Sequence, residues 1–275
     1  MHKILDKQEL APNVKLFTVH APDIAEKAKP GQFVILRADR RGERFPLTLV
    51  DWEREKGAIT FIFQQVGVST RKLGSLRVGD EIPDILGPLG NPSDIKPFSP
   101  VAVVGGGVGM ATAYPIAKGL KEAGNTVISI VGARTKSLLL LEDEMRSVSD
   151  EFYVSTDDGS MGCKGLVSDV LKGLIEKGHP LDFVYAVGPP VMMRSIAEVT
   201  RPCGIKTVVS LNPIMVDGMG MCGACRVSVG GETKFACIDG PEFDGHQVDF
   251  DDLIKRLRMY QAEEGLASKF YEEHV

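Results

Sequence analysis

The sequence of 275 residues has no apolar run that approaches the roughly 20 residues needed to span a membrane. Its N-terminus, MHKILDKQEL, carries charges where a signal peptide needs an apolar stretch. It also lacks positive charge in excess, since 32 basic and 37 acidic residues give a net charge of −5. We therefore expect a cytoplasmic protein with no membrane and no nucleic-acid partner.

Cysteine is scarce, and the five cysteines do not suit a disulfide framework. Their number is odd, and Cys222, Cys225 and Cys237 lie within sixteen residues, whereas Cys163 and Cys203 stand apart. Disulfide frameworks belong to small secreted chains with even cysteine counts. The group of three therefore indicates a metal or iron–sulfur site, and we interpret Cys163 and Cys203 as packing residues.

Residues 1–97 are predicted to form an all-β domain. Evenly spaced short runs, separated by turn signals such as Pro30-Gly31 and Gly79-Asp80, indicate a closed antiparallel barrel. One helical interruption is predicted at 69–76. The predicted strands are 14–19, 32–36, 47–50, 59–65 and 81–85.

A proline-rich linker is predicted at 91–100, and the α/β domain at 98–211 overlaps its end, with a strand–helix–strand alternation that begins at Val101. Such an alternation predicts a doubly wound parallel sheet with helices on both faces. The predicted strands are 101–104, 126–131, 152–156 and 183–187, and the predicted helices are 111–122, 166–175 and 191–200.

The last two segments complete a fold class of α/β plus all-β. Residues 212–249 hold glycine, methionine and the cysteine group, with little hydrophobic periodicity, and are predicted to be a small cluster-binding segment. Residues 250–275 are predicted to be a C-terminal helical segment, in which 250–271 form one or two amphipathic helices.

The motif Asp217-x4-Cys222-x2-Cys225-x11-Cys237 carries the most specific chemistry in the chain. Plant-type 2Fe–2S sites use C-x4-C-x2-C and a fourth, more distant cysteine, and here Asp217 stands at the first ligand position. Glycines at 218, 220 and 223 let backbone amides approach bridging sulfides. A structural zinc site is the rival interpretation, because three cysteines and an aspartate can form a tetrahedron. Buried, inert cysteines would explain neither the two spacings nor the glycines.

A glycine-rich turn at 105–109 lies between a predicted strand and a predicted helix. Glycines there permit a tight turn and leave helix N-terminal amides facing a pyrophosphate. The motif departs from the strict GxGxxG pattern, because Met110 stands where the third glycine would be. Its place in the first βαβ unit favours dinucleotide binding over a purely structural turn.

The end of the predicted second strand favours NADP. It reads Val131-Gly132-Ala133-Arg134, without a carboxylate for a ribose 2′-hydroxyl, and an arginine there can accommodate a 2′-phosphate. Asp157 and Asp158, after the third strand, are either ribose contacts or part of a turn.

Two short runs in the β domain are candidates for flavin contacts. In RFPLT at 44–48, the cation of Arg44 and the hydroxyl of Thr48 suit a phosphate and a ring nitrogen. In VGVST at 66–70, a helix start suits a phosphate. On the residues alone the structural explanation is favoured, with Pro46 as an edge-strand break and Ser69 as an N-cap.

Together these runs resemble the ferredoxin-reductase superfamily, and within it the group that contains the electron-transfer subunit of dihydroorotate dehydrogenase B. The resemblance covers nearly the whole chain, and SLNPIMVDGMGMCGACRV resembles the cluster loop of that group, with Asp217 in place of its first cysteine. Asp217, with GERFPLT, VGVSTRKLG and ACIDGPEFDGHQV, resembles a narrower subgroup. This subgroup is the small (alpha) subunits of NADH-dependent reduced ferredoxin:NADP+ oxidoreductase, relatives of the sulfide dehydrogenase small subunit.

The resemblance implies roles for the flavin-site residues. Pro46, Leu47 and Thr48 would line the FAD isoalloxazine, with Thr48 as the catalytic contact near the reactive nitrogen. Phosphates of FAD would be held by Gly67, Ser69 and Thr70. Two positions depart from the family pattern. Phe45 stands where the family has its arginine, so the pattern does not itself assign the phosphate role to Arg44, which we retain as a candidate. Leu47 replaces a common tyrosine and leaves a smaller cover on the flavin.

The resemblance also implies a nucleotide site and a cluster site. The nucleotide would face Gly105, Gly107 and Gly109, with Asp157, Asp158 and the Gly188-Pro189 turn, and the 2Fe–2S cluster would be bound by Asp217, Cys222, Cys225 and Cys237. Small subunits of this subgroup use NAD(H), in conflict with the NADP indication from Arg134. We adopt NAD(H), because the second-strand rule comes from a different dinucleotide fold.

The predicted function is conversion between two-electron and one-electron transfer. A hydride would pass between NAD(H) and FAD, and single electrons between FAD and the cluster. No second cysteine group exists for 4Fe–4S centres, so ferredoxin would be met indirectly, through another polypeptide. The resemblance implies that this partner is a larger flavin and 4Fe–4S subunit in a heterodimer or higher complex, where electron bifurcation occurs. The alternatives are an electron-transfer subunit of dihydroorotate dehydrogenase or sulfide dehydrogenase and, from another class, a zinc-containing interaction protein.

Overall fold

The structure, a computed structural model, describes residues 1–274, and its N-terminal segment consists of two antiparallel sheets. The elements are β1 (His2–Ala11), β2 (Val14–His20), α1 (Pro22–Lys27), β3 (Phe33–Arg37), β4 (Arg44–Thr48), β5 (Asp51–Glu53), β6 (Ala58–Gln64), α2 (Val68–Ser75), β7 (Glu81–Ile82) and β8 (Asp84–Leu89). The strand orders are β5-β6-β2-β1-β7 and β4-β3-β8. Both sheets share one core, in which Phe17, Phe61 and Leu36 are fully buried. The predicted antiparallel β fold is confirmed, as two packed sheets.

The remaining elements build a seven-stranded sheet and its coverings. They are β9 (Val101–Gly106), α3 (Met110–Glu122), β10 (Val127–Ala133), α4 (Glu142–Ser147), β11 (Glu151–Thr156), β12 (Cys163–Lys164), α5 (Val167–Glu176), β13 (Phe183–Val187), α6 (Pro190–Thr200), β14 (Lys206–Ser210), β15 (Arg226–Val229), β16 (Glu232–Phe235), β17 (Glu242–Asp244), α7 (Phe250–Leu257) and α8 (Gln261–His274). The order is β12-β11-β10-β9-β13-β14-β17, with β17 antiparallel to β14 and the other neighbours parallel.

Helices cover both faces of this sheet, as the alternation predicts. Val103 and Val131 face the side of α3, whereas Val104 and Ile130 face the side of α5 and α6. Because the strands are buried on both faces, their sequences are continuous apolar runs rather than alternations of apolar and polar residues. The doubly wound architecture is therefore confirmed.

The cluster-loop region is attached to this sheet. The short strand β17 extends the sheet edge, β15 and β16 form a hairpin, and Asp251 of α7 pairs with Arg194 of α6 at 2.9 Å. Cys225 and Cys237 are buried in the same core as Val104. The loop therefore packs against the core of the parallel sheet rather than on a separate core of its own.

Several elements differ from the sequence prediction. The charged strand β1 was not predicted, because Ile4 and Ala11 are its only buried residues, but pairing with β2 and β7 fixes it. The helix α1 has only six residues, too few for a periodic pattern, so 69–76 is not the one helical interruption of this segment. The helix α4 and the strand β14 are also additions. None of the helices within residues 1–274 has the length and apolar character needed to cross a bilayer.

Candidate functional site

A cleft of about 900 Å³ opens between the N-terminal sheets and the carboxyl ends of the parallel strands. It lies beside β9, where the strand order reverses, which is the usual ligand position in open α/β sheets. The structure brings ten of the predicted residues to this cleft: Pro46, Leu47, Thr48, Thr70, Gly107, Gly109, Arg134, Asp157, Gly188 and Pro189. It does not bring Arg44, Gly67, Ser69, Gly105 or Asp158 to the cleft wall.

The glycine turn is shaped by two different requirements. Gly107 has φ +56°, a conformation that favours glycine, and a Cβ there would meet no atom within 4 Å. A Cβ on Gly109 would lie 2.6 Å from the carbonyl oxygen of Val187, so this position needs a close backbone approach. Gly105 lies within β9 against Met110, and its role is packing.

The ends of β10 and β11 place Arg134 and Asp157 on the same cleft. The amide of Asp157 donates to Ala133 O at 3.1 Å, which fixes the two strand ends side by side. Asp158 is exposed, and its carboxylate accepts from the amide and the hydroxyl of Ser160. Those bonds, the hydroxyl bond first, lower the pKa of Asp158. Of the two aspartates, Asp158 therefore belongs to a turn and Asp157 faces the cleft.

Hydrogen bonds occupy several of the candidate flavin contacts. The hydroxyl of Thr70 accepts from the amides of Val66 and Gly67, each at 3.1 Å, and so caps α2. Ser69 donates to Glu43 at 2.9 Å. Arg44 is exposed at the opposite end of β4 from Thr48.

Asp217 is held by the backbone of its own loop. Its carboxylate accepts from the amide of Met219 at 2.8 Å and from that of Cys222 at 2.7 Å. These amide bonds, that of Met219 first, keep the pKa of Asp217 below its ordinary value. Glycines at 218, 220 and 223 all have φ between +68° and +80°, as expected for a loop that turns its amides inward.

The other candidate ligands include a buried thiol pair. The sulfurs of Cys225 and Cys237 are 3.2 Å apart, whereas Cys222 is exposed. Burial raises the pKa of Cys237 to about 12, and the contact with Cys225 adds to this shift. Ligation would require release of that proton, which a bound metal favours.

The thiols of Cys225 and Cys237 are in direct contact, whereas Asp217 and Cys222 are joined through the backbone amide of Cys222. Each iron of a 2Fe–2S cluster takes two protein ligands. The adjacent thiols of Cys225 and Cys237 therefore suit the two protein ligands of one iron.

Sequence reasoning missed residues that only the tertiary structure brings to the site. Thr112, in the first turn of α3, donates to Thr48 at 3.0 Å and lines the cleft. Phe45 and Asn212 also line it, although they are distant in sequence. No local pattern marks Thr112, because its partner lies 64 residues away.

A second polar group that sequence reasoning missed lies beneath the linker at 91–100. Tyr185, which is fully buried, donates to the carboxylate of Glu242 at 3.1 Å, and Ser93 donates to the same oxygen. Burial raises the pKa of Glu242 above its ordinary value. This group joins the linker, the parallel sheet and the edge strand β17.

An antiparallel β segment, a doubly wound sheet and a cysteine loop define an electron-transfer oxidoreductase subunit with the ferredoxin-reductase fold. Residues 212–249 match the iron–sulfur cluster binding domain of dihydroorotate dehydrogenase B. A Thermotoga maritima protein described as an electron transfer subunit homolog of dihydroorotate dehydrogenase B (NAD(+)) is 48% identical over 267 residues, 97% of this chain and 94% of that protein. The dihydroorotate dehydrogenase B (NAD(+)) electron transfer subunit of Geobacillus thermodenitrificans is 34% identical over 89% of this chain and 96% of its own length.

A solved structure is also similar over almost its entire length. It comes from work on flavin-based electron bifurcation by the NADH-dependent reduced ferredoxin-NADP oxidoreductase, and its chain is 47% identical with a TM-score of 0.93. The match covers 98% of each chain. The chain belongs to the family of dihydroorotate dehydrogenase B electron-transfer subunits and their homologues. The predicted resemblance and fold class are thereby confirmed.

Proposed function

We propose that the chain transfers a hydride between NAD(H) and FAD and single electrons between FAD and a 2Fe–2S cluster. It does so as the small subunit of an electron-bifurcating NADH-dependent reduced ferredoxin:NADP+ oxidoreductase. The cofactors, when bound, supply the conversion between two-electron and one-electron transfer, and the protein supplies binding and orientation. The cleft carries this proposal, because one cavity unites 46–48 with the glycine turn of the parallel sheet.

The flavin ring would rest on 46–48. Pro46 has no amide hydrogen and Leu47 is apolar, so both suit the face of a flat ring, while the Thr48 hydroxyl is the polar contact. The N-terminus of α2, from Gly67 to Thr70, offers amides to a phosphate. Ser69 would exchange its bond to Glu43 for the phosphate, and Arg44 would contribute charge from the surface.

The nicotinamide nucleotide would occupy the other wall of the cleft. Gly107, Gly109 and the Gly188-Pro189 turn leave room for a pyrophosphate, and Gly105 and Asp158 support that wall from behind. The Asp157 carboxylate can accept a bond from a ribose hydroxyl but repels a 2′-phosphate. We therefore assign NAD(H), with Arg134 contacting the diphosphate or solvent rather than a 2′-phosphate.

The cluster would be bound by Asp217 and Cys222 on one iron and by Cys225 and Cys237 on the other. Cys222 is exposed, so this side of the loop is where an electron would enter or leave. The amide bonds lower the pKa of Asp217 further, so its carboxylate can ligate at neutral pH without release of a proton.

An electron-transfer subunit requires a partner, and we propose a larger subunit that carries a second flavin and 4Fe–4S centres and that meets ferredoxin. The similarity to the chain from the bifurcating oxidoreductase, 47% identical over 98% of both chains, supports this partner. A dihydroorotate-oxidising partner is the second candidate, because several relatives that are 34–37% identical are described as electron transfer subunits of dihydroorotate dehydrogenase B. Affinity purification of the native complex distinguishes the two by the iron content and the activity of the partner.

A visible spectrum with metal analysis tests the cofactor assignment. We expect flavin and iron–sulfur bands with about two irons per chain. Stoichiometric zinc without iron or sulfide would contradict the cluster. Rapid mixing of the isolated subunit with each nucleotide then tests the assignment of NAD(H). The flavin band should bleach faster with NADH than with NADPH, and Arg134→Ala should preserve that order. The reverse order would overturn the assignment of NAD(H) and leave the flavin and cluster assignments unaffected.

A further inference from the structure

The hydroxyl of Thr112 is directed away from its own helix. Ser195 and Thr200, also in a helix, donate to the carbonyls of Val191 and Ile196 four residues earlier, each at 3.0 Å. Such local bonds are the common arrangement for a helical hydroxyl. Thr112 instead donates to Thr48 of the N-terminal sheets at 3.0 Å, although it is buried within α3.

This bond determines what the Thr48 hydroxyl can do. A hydroxyl has one hydrogen to donate and two lone pairs that accept. Because Thr112 is the donor, the bond uses a lone pair of Thr48 and leaves its hydrogen free. Within the described part of the chain, Thr48 donates to no protein acceptor, and its side chain lines the cleft. The hydrogen is therefore available to an acceptor in the cleft.

The bond also crosses between the two walls of the cleft. Thr48 ends β4, where it pairs with Phe33, and Thr112 lies three residues after Gly109. The glycine turn and the candidate flavin contact are therefore linked by a direct side-chain bond. A shift of α3 relative to β4 would rotate or release the Thr48 hydroxyl.

We propose that Thr112 is a positioning residue, which orients the Thr48 hydroxyl so that its hydrogen faces a ring nitrogen of the flavin. The inference rests on the proposed function, because it takes the occupant of the cleft at Thr48 to be FAD. Thr112 itself need not contact the flavin. It acts by occupying the lone pair of Thr48 that faces α3.

Two substitutions at Thr112 separate hydrogen bonding from packing. Thr112→Val keeps the branched shape and removes the donor, and Thr112→Ser keeps the donor. We expect Thr112→Val to slow flavin reduction by saturating NADH about three- to tenfold, the effect of one neutral hydrogen bond, with the NADH dissociation constant within about twofold of wild type. It should also change the midpoint potential and the visible band of bound FAD. Thr112→Ser should have the wild-type rate, potential and spectrum.

A matched control is available in the N-terminal sheets. Thr60 shares a hydroxyl–hydroxyl contact of 3.1 Å with Thr18 on neighbouring strands, away from the cleft. Thr60→Val therefore removes a comparable bond and should leave the rate, potential and spectrum unchanged. In a Thr48→Val background, Thr112→Val should have no further effect, since it acts only through Thr48.

The possible results separate this inference from the proposed function. A wild-type protein without FAD, or with FAD that NADH does not reduce, would refute the proposed function. A wild-type protein that behaves as proposed, with a Thr112→Val variant of unchanged potential and rate, would refute only the role of Thr112. Equal changes of rate, potential and spectrum in the Val and Ser variants would indicate packing and would also overturn it, whereas changes in the Val variant alone support it.

Discussion

The candidate cluster ligands all lie within residues 217–237, whereas the cleft draws its walls from strand ends and helix starts that are distant in sequence. The cluster loop is held by its own backbone amides and by glycines with positive φ, so its geometry is determined by residues close in sequence. In the cleft, the flavin and nucleotide contacts are held by different segments and joined by the bond from Thr112 to Thr48. A local site tolerates change elsewhere in the chain, but a composite site depends on how its segments pack.

The largest effect is expected from removal of a buried cluster ligand, which tests whether the two regions are independent. Cys225→Ala should abolish the 2Fe–2S bands and the bound iron, because the Cys225–Cys237 pair cannot be replaced by another thiol nearby. The cleft should still hold FAD that NADH reduces. Cys163→Ala, at an exposed cysteine of β12, is the control and should retain full iron content. Loss of FAD together with iron in Cys225→Ala would show that the regions are coupled.

The reverse experiment alters the cleft alone. A Cβ on Gly109 would lie 2.6 Å from Val187 O and 3.0 Å from the Cα of Gly188, and backbone atoms cannot move aside cheaply. Gly109→Ala should therefore weaken NADH binding about tenfold or more, as for an overpacked site, with normal iron content. Gly173→Ala adds the same methyl group to α5 where no atom lies within 4 Å. That control should keep its NADH affinity, and equal affinity in both variants would contradict the close backbone approach.

The sequence predicted the local cluster loop more completely than the composite cleft. The cluster spacing and the need for loop glycines were readable, because each ligand lies a few residues from the next. The ten cleft residues were found through glycine turns and the resemblance to known sequences, but Thr112 was not, since its bond depends on how α3 packs against β4. The strand β1 was missed because strand pairing, rather than an apolar pattern, holds it in place.

A smaller effect is expected when the unusual ligand of the cluster loop is changed. Asp217→Cys should retain a 2Fe–2S centre but lower its potential, because a thiolate donates more charge than a carboxylate oxygen. Loss of the amide bonds to the carboxylate acts in the opposite direction and limits the change. Redox titration followed by electron paramagnetic resonance measures the potential. An identical potential in both proteins would mean that Asp217 does not ligate the cluster.

The smallest effect concerns the polar group of Tyr185, Glu242 and Ser93 beneath the linker. Burial outweighs the bonds from Ser93 and Tyr185, and nearby Asp94 adds to the rise in the pKa of Glu242. A carboxyl whose pKa is higher in the folded protein than in the unfolded chain stabilises the fold fully below its unfolded pKa. That contribution is lost as pH rises through the folded value. Wild type should therefore lose stability on going from acidic to mildly alkaline pH.

Substitution by glutamine tests this pH dependence directly. Glu242→Gln preserves an oxygen for Ser93 and Tyr185 but carries no charge, so the two proteins should be similar near pH 5 and diverge above it, with the variant more stable. The difference should grow as the pH rises, because the raised pKa of Glu242 makes its ionisation in the folded protein unfavourable. Urea unfolding at a series of pH values measures it, with Glu264→Gln as a control at an exposed carboxylate of α8. A variant that is less stable than wild type at pH 8 would show that the charged carboxylate, rather than its neutral form, holds the edge strand β17 beneath the linker.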